Sequence, residues 1–332
     1  NDDGTLNINV KEIEEKNEHV IDESEILSVL LPSKIEGKTT LSEIQISNDD
    51  NKNIEVKIPS DYDILTINSE TDFDIIPNGN IQINLGPSKT ASIKEASGEI
   101  TIGSSTEGEN KEIQLNRISP KRDESNKRTT FTLIPQSNVK LSIEEINFNG
   151  QQTVEIPTEN KGQVTVTTIK VQQTASAEIK NVAITGTIMV GFSSTLNVVE
   201  NVDISGSTLD LSYNQTQKQG INDEAPIRGT LNTAPASIVL NDRVVGSILK
   251  AQETYLIAES LIELDCQKWI EATTIKTTNS KLNSYKCESE KNNNIDVYKF
   301  LAVEKEPGKE PGKDKLGPGP IAGIVIACIV VV

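Results

Sequence analysis

The sequence predicts an all-β chain built as a parallel β-solenoid, right-handed and β-helix-like, with tandem β-sandwiches as the alternative. Three observations carry this reading. Apolar and polar residues alternate with a period of two along much of the chain, one segment recurs after a shift of twenty residues, and aromatics make up only 3% of the composition. With so few aromatic rings, the core falls to Ile, Val and Leu. β-Branched side chains of that kind favour strands.

In chain order, residues 1–34 read as an N-terminal cap or irregular segment. Within them Lys11 to Leu31 is rich in Glu and ends in Leu-Leu-Pro, which suggests an amphipathic helix over the end of the stack. Residues 35–253 form the β-repeat region. Ile54, Val56 and Ile58 alternate with Glu55 and Lys57, and Ile81, Ile83 and Leu85 alternate with Gln82 and Asn84. The same period returns at Ile100/Ile102, Ile113/Leu115, Val139/Leu141/Ile143 and Val164/Val166. Turn residues separate these half-buried strands: Pro77-Asn78-Gly79, Gly86-Pro87, Ser97-Gly98 and Gly103-Ser104-Ser105. Over 35–135 the alternation has no fixed period, so an irregular solenoid and a β-sandwich are both open there.

The repeat lies further on. Glu178 to Gly186 realigns on Val198 to Gly206, with Asn181, Val182, Ile184 and Gly186 falling on Asn201, Val202, Ile204 and Gly206. A related unit, Glu145 to Gly150, precedes it at no simple multiple of that shift. A period near twenty suits one solenoid coil, which buries its apolar face only against its neighbours. On that geometry the valines and isoleucines form inward ladders, Asn181 and Asn201 form an amide ladder at a turn, and the glycines mark the next corner. Residues 254–303 follow as a C-terminal cap, in which Thr254 to Ile270 reads equally as helix or strand.

Residues 304–320, with Pro-Gly at 307–308, 311–312 and 318–319, compose a charged, low-complexity stalk. Residues 321–332 are an uninterrupted apolar run, IAGIVIACIVVV. A bilayer span needs about twenty such residues, so the run reads as the start of a transmembrane helix cut short. A GPI-addition signal is the alternative. The opening Asn-Asp-Asp, without Met, agrees with removal of a secretory signal.

Composition also bounds the chemistry. A net charge of −17 argues against a nucleic-acid partner, because phosphate binding needs clustered Lys and Arg. The one basic cluster, Lys121, Arg122, Lys127 and Arg128, is interrupted by Asp123 and Glu124 and reads as a solvated loop, with a polyanion contact as the sharper reading. No cofactor is implied and no catalytic residue is assigned. The single histidine, His19, sits in a polar stretch, and Gly-x-Ser-x-Gly and His-Glu-x-x-His are absent. Asp61/Asp63 and Asp72/Asp74 would each share a strand face and are the calcium or acid/base candidates, although no metal site is assigned. Asp203, Asp210, Arg228 and Arg243 are what a polysaccharide-cleaving β-helix would have to use.

Cys266 and Cys287 are the two cysteines outside the apolar run, which contains Cys328. An oxidising location would pair them. Such a closure contributes about 3 kcal/mol through the unfolded state. Trp269 is expected to pack on this region. Asn214-Gln215-Thr216 is an N-glycosylation sequon, placed after a strand Leu209 to Tyr213.

The tail Gly-Pro-Gly-Pro-Ile-Ala-Gly-Ile-Val-Ile-Ala-Cys-Ile-Val-Val-Val resembles the membrane anchor of trichomonad-type single-pass surface proteins, adhesin-like and distantly similar to polymorphic outer-membrane proteins. The resemblance covers about the last thirty residues. It implies a cell-surface protein with an extracellular β-repeat ectodomain, used in adhesion or display. Its partners would be the membrane, through the anchor, and a protein or glycan of a host or neighbouring cell. The Gly-Gly-Ala-Ile and Phe-x-x-Asn series of the outer-membrane subgroup are absent here. A β-helix polysaccharide lyase or glycoside hydrolase is the alternative function.

Overall fold

The alternating segments stack into two parallel sheets that the chain visits in strict turn. The computed structural model describes residues 5–10, 26–31, 42–48, 53–86, 91–106, 111–160, 162–172, 174–191, 193–210, 225–241, 254–276, 282–284, 296–301 and 303–304. Coil by coil, the strands are β1 (Thr5–Val10) and β2 (Ile26–Leu30), β3 (Glu43–Asn48) and β4 (Asn53–Ile58), β5 (Ile64–Ser69) and β6 (Phe73–Pro77), then β7 (Ile81–Leu85) and β8 (Ala91–Ala96). Next come β9 (Gly98–Ser104) and β10 (Lys111–Pro120), β11 (Thr129–Pro135) and β12 (Val139–Phe148), β13 (Gln151–Glu155) and β14 (Val164–Val171), then β15 (Ser176–Lys180) and β16 (Ala183–Val190). The last coils are β17 (Thr195–Val199) and β18 (Thr208–Asp210), β19 (Ile227–Gly229) and β20 (Ser237–Asn241), then β21 (Thr254–Ser260) and β22 (Thr273–Lys276), with helix α1 (Cys266–Ala272) between that final pair.

From β1 to β22, odd-numbered strands pair with odd and even-numbered with even, always in parallel. Each strand of one sheet is therefore part of the crossover that parallel pairing in the other requires. This is a two-sheet parallel β-solenoid. The described residues within 35–135 belong to it as fully as the later coils, which sets the sandwich alternative aside.

The core is a set of ladders. In the even sheet Val29, Val56, Ile75, Ile93, Ile118, Ile146, Ile169, Ile188, Leu209 and Ile238 are paired in succession across ten strands. From Val56 onward every member is fully buried. Strands lie about 4.8 Å apart, so like side chains stack in contact along the axis. Burying one such side chain is worth about 2 kcal/mol, and no coil could do so without its neighbours.

Three strands hide a slip in the alternation. Asn116-Arg117, Glu144-Glu145 and Thr167-Thr168 are adjacent pairs that both face outward, between buried Leu115 and Ile118, Ile143 and Ile146, and Val166 and Ile169. The doubled step returns the next isoleucine to the core. It also explains why strict alternation stops at Leu115, Ile143 and Val166 while the strands continue.

The repeat is real and its period drifts. Ile179 pairs with Val198, Ala183 with Asp203 and Thr187 with Thr208, so the offset grows from 19 through 20 to 21 within one coil. Elsewhere it runs from 18 (Leu65 to Ile83) to 38 (Thr5 to Glu43). Val182, Val202, Ile184 and Ile204 are all buried, as the repeat predicts. The amide ladder also forms: Asn201 Nδ2 donates to Asn181 Oδ1 at 3.0 Å, and Asn181 Nδ2 to the Ile156 carbonyl at 2.8 Å.

Four expectations need correction. Glu178 pairs with Asn197 rather than Val198, because the extra residue enters only at the corner. Gly206 lies at a turn, but Gly186 lies inside β16 at a bulge, where a Cβ would sit 2.5 Å from the Thr167 carbonyl oxygen. Glu145–Phe148 belongs to the even sheet, whereas Glu178–Lys180 belongs to the odd one, so the two units are not equivalent. The end of the proposed helix, Ile26–Leu30, is strand β2, paired in parallel with β4; Lys11 to Glu25 lies outside the described residues.

Thr254 to Ile270 resolves into strand and helix in succession, and both sheets run on into this region. The odd sheet ends on β24 (Asp296–Leu301), which pairs antiparallel with β21. Between β22 and β24 lies β23 (Leu282–Ser284), which pairs antiparallel with β25 (Val303–Glu304).

Candidate functional site

The outward faces of the stack carry its chemistry. On the even sheet one in-register row reads Ser28, Glu55, Asp74, Ser92, Arg117, Glu145, Thr168, Thr187, Thr208, Ser237. Its four charged members, Glu55, Asp74, Arg117 and Glu145, fall within the first six positions, and the last four are all hydroxyl. Lys94, one row over, places Nζ 2.7 Å from Asp74 Oδ2 and 3.5 Å from Glu55 Oε2. Glu55 Oε1 meets Lys57 at 3.5 Å, and Glu145 meets Arg117 at 2.8 Å. Burial lowers the Lys94 pKa, but the Asp74 and Glu55 carboxylates raise it by more, so the net displacement is upward. Lys94 thus stays an ammonium ion at neutral pH and cannot serve as a base.

This cluster went unseen in the sequence. Its signal is the alignment of Glu55-Val56-Lys57 on Asp74-Ile75-Ile76 and Ser92-Ile93-Lys94, visible only once the offsets of 19 and 18 are known. The expected pairs fare differently. Asp61 and Asp63 occupy a turn and bend between β4 and β5 rather than a strand face, because Pro59 and the buried Tyr62 turn the chain there. Asp72 lies in the corner before β6, while Asp74 lies on that strand and is nearly buried. Among the described residues no three His, Cys, Asp or Glu side chains are grouped to hold a metal ion.

The set Asp203, Asp210 and Arg228 is not brought together. Asp203 bridges to Ala183 beside the even sheet, and its carboxylate accepts the Ser205 N–H at 2.9 Å; that bond is the chief cause of its lowered pKa. Asp210 is on β18, opposite Met189, whereas Arg228 is on β19 of the odd sheet, 3.3 Å from Glu259. Arg243 lies outside the described residues, as do His19, Cys287, Cys328, the Asn214 sequon and residues 321–332.

A cavity of about 480 Å³ opens where α1 packs near the last coils, lined by Leu231, Thr233, Pro235, Asp265, Lys268 and Trp269 among others. Lys268 is paired with Asp265 at 3.1 Å, and Trp269 is 1% exposed, so the ring belongs to the core and offers no stacking face. Cys266 opens α1. Among the described residues no helix is long and apolar enough to cross a membrane.

No family model, curated protein or solved structure matches the chain.

Proposed function

We propose that this chain is a single-pass, membrane-anchored cell-surface protein whose solenoid serves adhesion or surface display and catalyses no reaction. The observation that carries the reading is the outer surface of the stack. Thr168, Thr187, Thr208 and Ser237 form a continuous hydroxyl row, and Gln151 and Ser176 are paired on the opposite sheet. Such rows donate and accept hydrogen bonds along an extended face, which suits a sugar chain or a protein edge. The charged stalk and apolar tail support attachment to a membrane by one segment. Pairing of Cys266 with Cys287, and a glycan on Asn214, belong to the same extracellular reading.

Saturable binding of the purified chain to cells or to a glycan array tests adhesion. Absence of saturable binding to either favours a coat protein without a specific ligand.

A second reading has one observation in its favour. The Glu55, Asp74 and Lys94 cluster is the grouping of carboxylate and cation on one solenoid face that a polysaccharide-cleaving β-helix would need. Against it, Lys94 holds its proton and lies between both carboxylates. An assay for new reducing ends or unsaturated uronates over a glycan panel decides this. Turnover that disappears in Asp74→Asn would establish the enzyme and remove the adhesion-only reading.

A further inference from the structure

We infer that the loop joining β10 to β11, residues 121–128, docks a linear sulfated glycan; the inference rests on the adhesion reading above and names the ligand class for one surface. In a chain of net charge −17 this loop concentrates Lys121, Arg122, Lys127 and Arg128, all exposed, against only Asp123 and Glu124.

The loop is held in shape by its own bonds. Thr129 Oγ1 donates to the Lys121 carbonyl at 2.7 Å, which closes its base, and Lys121 N–H donates to the Ala96 carbonyl of the preceding coil at 2.8 Å. Asn126 takes a left-handed conformation (φ 62°), and its N–H donates to the Asp123 carbonyl at 3.0 Å. The Asp123 carboxylate turns inward on the loop, accepting both the Ser125 N–H and the Ser125 hydroxyl. Those bonds to Ser125 are the main reason its pKa is lowered, with Lys127 adding a smaller share.

The two arginines reach across to the following coils. The Arg122 stem lies over Gly150, its Cγ 3.1 Å from where a Cβ would sit, so a residue without a side chain makes room for it. Arg128 Nη1 donates to the Gln152 carbonyl at 3.3 Å and to Thr153 Oγ1 at 3.4 Å, and Nη2 to Ser176 Oγ at 2.9 Å. All three acceptors are neutral. Among the described residues no ion pair involves Lys121, Arg122 or Arg128, so their charge is not cancelled locally. More distant carboxylates are screened beyond about 8 Å at physiological salt.

The ligand class follows from what flanks the cations. A bilayer surface calls for apolar side chains to insert beside the basic ones, and single-stranded nucleic acid calls for aromatic stacking platforms. The loop has neither, since Ser125 and Asn126 are its uncharged members and Thr129 follows it. Arginine forks match oxyanions with two parallel bonds. The Ser176 hydroxyl lies on Arg128, and Gln151 is paired with Ser176 on the adjacent strand, which supplies polar groups for a sugar's own hydroxyls.

The test titrates the full chain with a heparin oligosaccharide, with an unsulfated hyaluronan oligosaccharide, with single-stranded DNA of equal charge and with phosphatidylserine vesicles. The expected result is saturable heparin binding, tighter than to the other three, that weakens about tenfold or more between about 50 and about 200 mM salt. The Lys121→Ala/Arg122→Ala/Lys127→Ala variant should lose at least about tenfold in affinity at unchanged thermal stability, and Glu124→Lys should gain. Equal binding by the triple variant, no effect of Glu124→Lys, or DNA or vesicles bound as tightly as heparin would overturn the assignment. Cell binding that persists without heparin binding defeats this inference and leaves the adhesion reading standing; loss of both defeats both.

Discussion

Ile169 stands at the middle of the even-sheet ladder, paired with Ile146 on one side and Ile188 on the other, with no exposed surface. Neither neighbour can collapse into the space its side chain fills without breaking register. Ile169→Ala should therefore cost about 2–5 kcal/mol, read as a lower urea midpoint at unchanged slope. Asn181 is a different kind of anchor, left-handed at φ 56°, 1% exposed, and bonded to Ile156 and Asn201 through opposite ends of its amide. Asn181→Ala leaves the Ile156 carbonyl and the Asn201 amide without those bonds and strains the backbone; a loss of about 1–3 kcal/mol should follow in the same denaturation experiment. Asp203 contributes in the acid range. Its folded pKa is lowered mainly by the Ser205 N–H, so its stabilisation is present above the unfolded value of about 3.9 and is lost as pH falls through the folded one. In Asp203→Asn the acid-side decline in thermal midpoint should be shallower than in the parent.

At the scale of the element, a strand was legible wherever its alternation was unbroken. β4 and β7 show this: Ile54, Val56, Ile58, Ile81, Ile83 and Leu85 are all buried. Legibility failed where the period slips. The doubled outward steps at Asn116-Arg117 and Thr167-Thr168 look like strand ends because two polar neighbours break the pattern, while register with the adjacent coil carries the strand onward. β2 escaped notice for a related reason, since a Glu-rich stretch precedes it and its apolar residues are too few to show a period. The charged cluster of Glu55, Asp74 and Lys94 needed offsets that corners of unequal length conceal. One residue inserted after Gln82 should drive Ile83 and Leu85 to the outer face. Insertion of Gly-Ser after the exposed Gly162 should change stability by only about 0.2 kcal/mol, since it lengthens the connection between β13 and β14 by a quarter. Circular dichroism melts of the two variants separate these outcomes, and similar melting of both would show that register is not what holds the coils.

At the scale of the whole molecule, the eleven coils of the described residues, at about 4.8 Å each, form a stack roughly 50 Å long. Stability is spread over neighbour-to-neighbour contacts rather than gathered in one centre. Such a stack must protect its ends. At the C-terminal end β24 lies antiparallel on β21 and covers the hydrogen-bonding edge of the odd sheet. A chain shortened to end at Lys276 should keep its strand signal yet self-associate, which light scattering would detect as a concentration-dependent rise in mass.

The proposed role depends on which side of a membrane this stack faces. Treatment of intact cells with an external protease, followed by detection of the C-terminal fragment in the detergent fraction, tests that most directly. The account predicts that the solenoid is removed from intact cells while a short fragment stays with the membrane. Full-length protein surviving in intact cells and recovered with the cytosol would contradict it.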